Sequence, residues 1–267
     1  MLSRILRKVT LGTILVLLLA AGCRKQTDYD ELPVPVAAQL HEVFHEQQRA
    51  VSIFFCTIEE YPCGNFQIIY SFEKDHGNLE VDFKGLYLPS ICVTVIGPAT
   101  GELILDDLEP GAWPVTFSYN QQELQAVVHL SKDEFRVEMT ADNPELLIFR
   151  DMAINRVPSD YIWGSLRPLE ESSDDQGELF FQQMASAGAQ RPQLEDAHYG
   201  FFRVSDGEVW LDPYDEGPAD KVQTFVFSWT EDMQTLEQIT SEFSASHEIQ
   251  VFSARGDVMA NQEEDSQ

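Results

Sequence analysis

Basic side chains are scarce in this chain. Its 17 lysines and arginines stand against 45 aspartates and glutamates, a formal charge of −28 over 267 residues. That shortage excludes nucleic acid as a partner, because gripping a phosphate backbone takes a cationic footprint. It also turns anionic lipid headgroups away. The acids are scattered along the chain, so they read as a solubilising surface or one suited to a saline medium. Apolar runs are short: Val9 to Leu19 falls below the ~20 residues that a membrane-spanning helix needs. No G-x-S-x-G elbow and no glycine-rich phosphate loop occurs, so neither an activated serine nor a nucleotide site is marked. The acidic stretches Glu170 to Glu178 and Asp206 to Asp220, including Asp212-Pro-Tyr-Asp215-Glu216, lack the D-x-D-x-D-G ladder of a calcium loop and read as solvated loops. No cofactor is expected.

What is present begins at the N-terminus. Arg4, Arg7 and Lys8 precede the apolar run, and Ala20-Ala21-Gly22-Cys23 closes it. A positive start, a short apolar core and small residues at the cut are the secretory pattern. These first two dozen residues resemble the lipobox signal of bacterial lipoproteins. The resemblance implies that residues 1–22 are removed and that Cys23 carries a diacylglycerol and an N-acyl chain. Each buried methylene contributes about 0.8 kcal/mol, and two or more chains give a stable membrane anchor. Arg24 follows where an aspartate would favour the inner membrane, so the sorting rule of enteric bacteria points to the outer membrane. Residues 23–49 are then read as a polar stalk, stiffened by Pro33 and Pro35, followed by a short helix.

Three further cysteines, Cys56, Cys63 and Cys92, sit in an export-compatible context. A Cys56–Cys63 bridge across Tyr61-Pro62 is the first expectation, leaving Cys92 as a buried thiol in a strand over Ile91 to Ile96. Pairing of Cys92 with either of the others stays open, since spacing does not choose connectivity. From Ala50 the apolar period is two: Val51, Ile53 and Phe55; Ile68, Tyr70 and Phe72; Leu79, Val81 and Phe83; Val115 to Tyr119; Leu124 to Leu130; Phe135 to Met139. Closely spaced short strands separated by turns such as Asp75-His76-Gly77 and Pro110-Gly111 predict an antiparallel β-sandwich over residues 50–141. Within it, Leu108, Pro110, Gly111 and Trp113 match the Leu-x-Pro-Gly-x-aromatic signature and resemble the prealbumin-like accessory sandwiches of carboxypeptidases and bacterial envelope proteins. That resemblance implies support or binding, not a reaction. Pro114 has no N–H for a ladder and marks an edge or bulge.

Over residues 150–259 the rhythm changes. Strands at Tyr161 to Leu166, His198 to Val204, Val222 to Trp229 and Ile249 to Phe252 alternate with helical spacing at Gly177 to Ala187 and Asp232 to Phe243. The order β-α-β-β-α-β predicts a small α+β domain of ferredoxin-like type. Residues 260–267 read as a disordered acidic tail.

One string carries sharp chemistry. His41-Glu42-Val43-Phe44-His45 fits H-E-x-x-H, which on a helix presents two histidines to Zn²⁺ and a glutamate to the metal-bound water. Glu46 and Gln47 depart from the longer pattern of those hydrolases, and no strand layer precedes the segment. Trp163, Trp210 and Trp229, with Tyr199 and Phe202, form either a sugar-stacking platform or ordinary core. The expectation is a non-catalytic envelope lipoprotein that meets a protein or glycan partner. A zinc hydrolase using His41 and His45, and an accessory subunit of a larger envelope complex, are the alternatives.

Overall fold

The computed structural model describes residues 29–45, 48–106, 108–140, 145–169, 174–211 and 222–260. Residues 1–28, Cys23 among them, the segment Asp212 to Glu216, residues 170–173 of the first acidic stretch and the tail beyond 260 lie outside the described residues.

The chain is mostly β. Ten strands form one ladder: β1 (Val36–His45), β2 (Gln48–Tyr61), β3 (Gln67–Asp75), β4 (Asn78–Tyr87), β5 (Gly97–Leu105), β6 (Gly111–Tyr119), β7 (Gln122–Leu130), β8 (Glu134–Met139), β9 (Leu147–Phe149) and β10 (Ala153–Asn155). Their order is β10-β8-β7-β6-β4-β3-β5-β2-β1-β9. The sheet curls so that alternate residues of nearly every strand meet in one core, from Leu40 and Phe55 through Val81, Phe117 and Val128 to Ile154. Phe55 meets Phe83 and Phe117 edge-on across that core. Antiparallel pairing is interrupted where β4 lies parallel to β6, β1 parallel to β9 and, briefly, β3 parallel to β5. The Asp75-His76-Gly77 signal is a tight hairpin turn, with φ of 46° at His76 and 88° at Gly77, as a two-residue connection between twisted strands requires. Pro114 pairs with β7, but β4 joins β6 only from Val115, so no neighbour lacks the missing donor.

Three expectations are corrected here. Residues 36–49 form a strand hairpin, not a helix, and β1, β9 and β10 extend the sheet well outside 50–141. The helical stripe misled because a spacing of four is also even. Val36, Ala38 and Leu40 share the inner face of β1, and Glu42 breaks the apolar alternation only because arginines neutralise it. Second, the disulfide joins Cys63 to Cys92, leaving Cys56 a free buried thiol. Cys56 lies well inside β2 while Cys63 lies beyond its end, so the chain between them runs on as strand instead of turning back. Third, Ile91 to Ile96 is an exposed loop and no strand. Its backbone bonds go to Gly64 and Asn65.

The C-terminal unit is built on the sheet β15-β11-β16-β17, from β11 (Tyr161–Pro168), β15 (Gln223–Ser228), β16 (His247–Ser253) and β17 (Val258–Ala260). Helix α1 (Asp174–Ser186) follows β11, and α2 (Met233–Phe243) joins β15 to β16. Asp232 caps α2 by accepting from the Thr235 N–H at 2.8 Å, which holds its carboxyl below the ordinary range. Because successive strand residues face opposite ways, Ile162 and Leu166 of β11 meet the helices through Phe180, Met184 and Leu236, while Trp163 meets the other layer. That layer is a separate three-stranded sheet: β12 (Ala197–His198), β13 (Arg203–Ser205) and β14 (Glu208–Trp210). His198 to Val204 is therefore a tight hairpin around Gly200, not one strand. These strands stand apart from the main sheet, which contains one split βαβ unit (β15-α2-β16 around β11) instead of two.

Candidate functional site at the seam between the two units

β9 pairs with β1 only as far as Ala38. Beyond that point the edge of β1 is met by the second unit, where the Glu42 N–H donates to the Gly200 carbonyl at 3.2 Å. Gly200 has φ of +75°, and a Cβ there would lie 2.8 Å from Glu42 Cγ. Only glycine fits both the backbone conformation and the approach.

The Glu42 side chain is fully buried. Its Oε1 accepts from Arg156 Nε at 2.8 Å, and its Oε2 accepts from Arg49 and, at 3.3 Å, from the Val157 N–H. Arg49 also donates to the Val157 carbonyl at 2.6 Å, and Arg156 to that of Ser131. A buried carboxylate is tolerable when paired and hydrogen-bonded in this way. The pair stitches the β1–β2 hairpin to the connection that leads into the second unit. Nearby, Asp151 receives a 2.8 Å bond from Arg203, and His198 Nδ1 stands 3.6 Å from the same oxygen. His198 first, and then Arg203, hold the Asp151 carboxyl below its ordinary range, against the opposing pull of burial. At 3.6 Å the His198 contact is longer than an ordinary hydrogen bond. Neither ring nitrogen of His198 has a hydrogen bond among the described residues. The His41 ring meets it edge-on, centroids 5.7 Å apart.

This geometry does not assemble the H-E-x-x-H chemistry. In a strand, His41 and Glu42 point to opposite faces, and the Cα atoms of His41 and His45 are ~13 Å apart. On a helix the same spacing brings side chains within about 6 Å. Glu42 is also occupied by two guanidinium groups. Among the described residues, no group of three or more His, Cys, Asp or Glu is placed to hold a metal. Cys56 is no better prepared for chemistry: burial raises its thiol pKa, against a smaller lowering by Arg150.

Above Glu42 lies a cleft of about 580 Å³ between the units. Four rings run through its wall in contact: Phe44 stacks on Phe201 at 5.3 Å, Phe201 on Trp163 at 4.8 Å, and Trp163 faces Phe252 at 6.1 Å. Val43, Leu211 and Val258 extend the apolar surface. Polar groups are few. Ser253 Oγ donates to Asp257 at 2.8 Å while accepting from the backbone of Arg255 and Asp257. Such a surface can receive a flat or apolar group, and its Ser253 and Asp257 side chains are already engaged with each other. Of the tryptophans and neighbours weighed as a platform, Trp163, Trp229, Tyr199 and Phe202 are buried in cores. Only Trp163 contributes to the cleft.

The principal residues here, Phe44, Phe201, Phe252, Arg49, Arg156 and Gly200, escaped the sequence. Gly200 between two aromatics was the available signal, since glycine among bulky residues marks close backbone approach. No protein-family model, no curated protein and no solved structure matches this chain.

Proposed function

We propose that this chain is a lipid-anchored bacterial envelope protein, tethered through Cys23 to the outer membrane and working as a non-catalytic binding module. Its partner is an envelope protein or glycan, and its seat is the stacked-ring cleft between the two units. The observation carrying this reading is the continuous run Phe44-Phe201-Trp163-Phe252 at an open seam, where aromatic area lines the cleft and the neighbouring Ser253 and Asp257 side chains are bonded to each other. In the same reading, the curled sheet is an Ig/prealbumin-like sandwich, supported by its single core and by Leu108, Pro110, Gly111 and Trp113. The C-terminal unit is a ferredoxin-like variant, supported by its one split βαβ unit.

Two measurements test the proposal. Mass spectrometry of the N-terminal peptide from cell-derived protein is expected to show acylated Cys23; an unmodified thiol there, or a dominant cytosolic pool, ends the anchor reading. Replacing Phe201 by a photo-crosslinking phenylalanine analogue in cells is expected to capture one defined envelope protein or glycan. The same analogue at Leu179, on α1, is expected to capture none. Equal capture at both positions removes the cleft as the seat.

A further inference from the structure

The segment from Gly85 to Gly101 holds no charged side chain, although the chain as a whole is strongly acidic. At its centre Leu88, Ile91, Val93, Val95 and Ile96 are exposed, Ile91 at 78% and Ile96 at 72%. These are β-branched or branched aliphatic residues of the kind that normally fills a core. The loop is also built to keep them outside. Cys92 is fixed to Cys63, the Asn65 amide donates to the Ile91 carbonyl at 2.8 Å and accepts from the Val93 N–H at 3.2 Å, and the Gly64 N–H donates to the Val93 carbonyl at 3.1 Å. Backbone polar groups are thus turned inward and apolar side chains outward. A surface of this kind marks a site of contact with another apolar phase.

Chain geometry says which one. Asp30 pairs with Leu86 through two backbone bonds of 2.9 and 3.0 Å, so Asp30 lies at the root of this loop. Asp30 is seven positions after Cys23, and seven residues' rise spans at most ~25 Å even fully extended. A lipid on Cys23 therefore holds the loop beside the same bilayer. Tyr29 and Tyr87, both partly exposed, flank the Asp30–Leu86 pairing. Their apolar rings and polar tips suit the headgroup boundary. Glu59, Glu60 and Glu31 lie exposed close by, which disfavours an anionic leaflet and favours zwitterionic lipid.

We propose that the disulfide-stapled 88–96 loop is a second membrane contact, inserting its apolar side chains into the zwitterionic interface of the bilayer that anchors Cys23. It rests on the anchor reading above. Inserting a few aliphatic side chains supplements acyl chains and fixes the protein's orientation, which a flexible tether alone does not do.

The test uses the full lipidated chain, reconstituted into phosphatidylcholine vesicles brominated along the acyl chain. An Ile91→Trp variant is expected to emit at shorter wavelength and to be quenched several-fold more than a Leu179→Trp variant; Ile96→Trp repeats the measurement independently. The Cys23 peptide is weighed in the same preparation. Acylated protein with equal quenching at both positions overturns the loop proposal and leaves the anchor standing. Unmodified Cys23 overturns both. A stoichiometric dimer in detergent that Ile91→Asp with Ile96→Asp dissolves, without preferential quenching in vesicles, assigns the patch to a second copy and overturns the membrane contact.

Discussion

The seam around Glu42 and the loop around Ile91 invert the usual distribution of side chains in opposite directions. At the seam, charges are inside: a wholly buried carboxylate is held by Arg49, Arg156 and a backbone N–H. In the loop, aliphatic side chains are outside, and the buried or bonded groups are backbone and sulfur. The first arrangement is costly in desolvation and persists because every acceptor is matched. The second forgoes burial of good core residues and persists because a covalent staple and the Asn65 amide hold the backbone. Buried charge and exposed apolar area are thus separated on one polypeptide. The contrast predicts that substitutions at the seam act on stability, whereas those at the loop tip act on contacts.

The largest effect is expected at Glu42. Glu42→Ala leaves two half-buried arginines without their counter-ion and should cost about 3 kcal/mol, read as a fall in the urea midpoint at unchanged slope. A loss below 1 kcal/mol would erase the distinction between seam and surface. Next comes the staple. Cys63→Ser with Cys92→Ser opens a loop of 29 residues' separation and should cost about 2–4 kcal/mol through restored chain entropy, measured in the same way. Gly200→Ala should cost about 1–3 kcal/mol, because it places a methyl against Glu42 Cγ at a positive φ. A neutral outcome there would show that the seam can yield.

The Asp151 carboxyl sharpens the comparison through pH. Its folded pKa lies below the ordinary carboxylate value, so its contribution is fully present above the unfolded value and is lost as pH falls through the folded one. Asp151→Asn is therefore expected to flatten the decline in stability below about pH 4, seen in denaturation curves at pH 6 and pH 3. The smallest effect belongs to the loop tip: Ile91→Ser with Ile96→Ser should change stability by within ~0.5 kcal/mol. A larger loss by calorimetry would mean that these side chains support the fold after all.

Much of the fold was legible because strand alternation is a local signal. Val51, Ile53 and Phe55, Leu79, Val81 and Phe83, and Val115, Phe117 and Tyr119 are buried on the predicted face. Helix α2 was legible from the helical spacing of Met233, Leu236, Ile239 and Phe243, whose neighbours lie three or four residues away. Misreadings arose where the deciding partner was distant. Glu42 is in a strand because Arg156 neutralises it from 114 positions away. Cys92 is in a loop because Cys63 and Asn65 hold it there, and β-branched residues alone gave no hint of the difference. The candidate cleft was less legible still, since Phe44, Trp163, Phe201 and Phe252 come from four separate segments and share no motif.

By itself, the amino-acid order determined the mainly β character, the positions of most strands and both helices, and the strongly acidic surface. Each depends on periodicity or composition, which act within a few residues or summed over the whole. Tertiary structure alone decided the strand order, the Cys63–Cys92 pairing, the burial of Glu42 and the line of stacked rings at the seam. These depend on contacts between residues far apart in the chain, where the energy of a side chain is set by what folds against it.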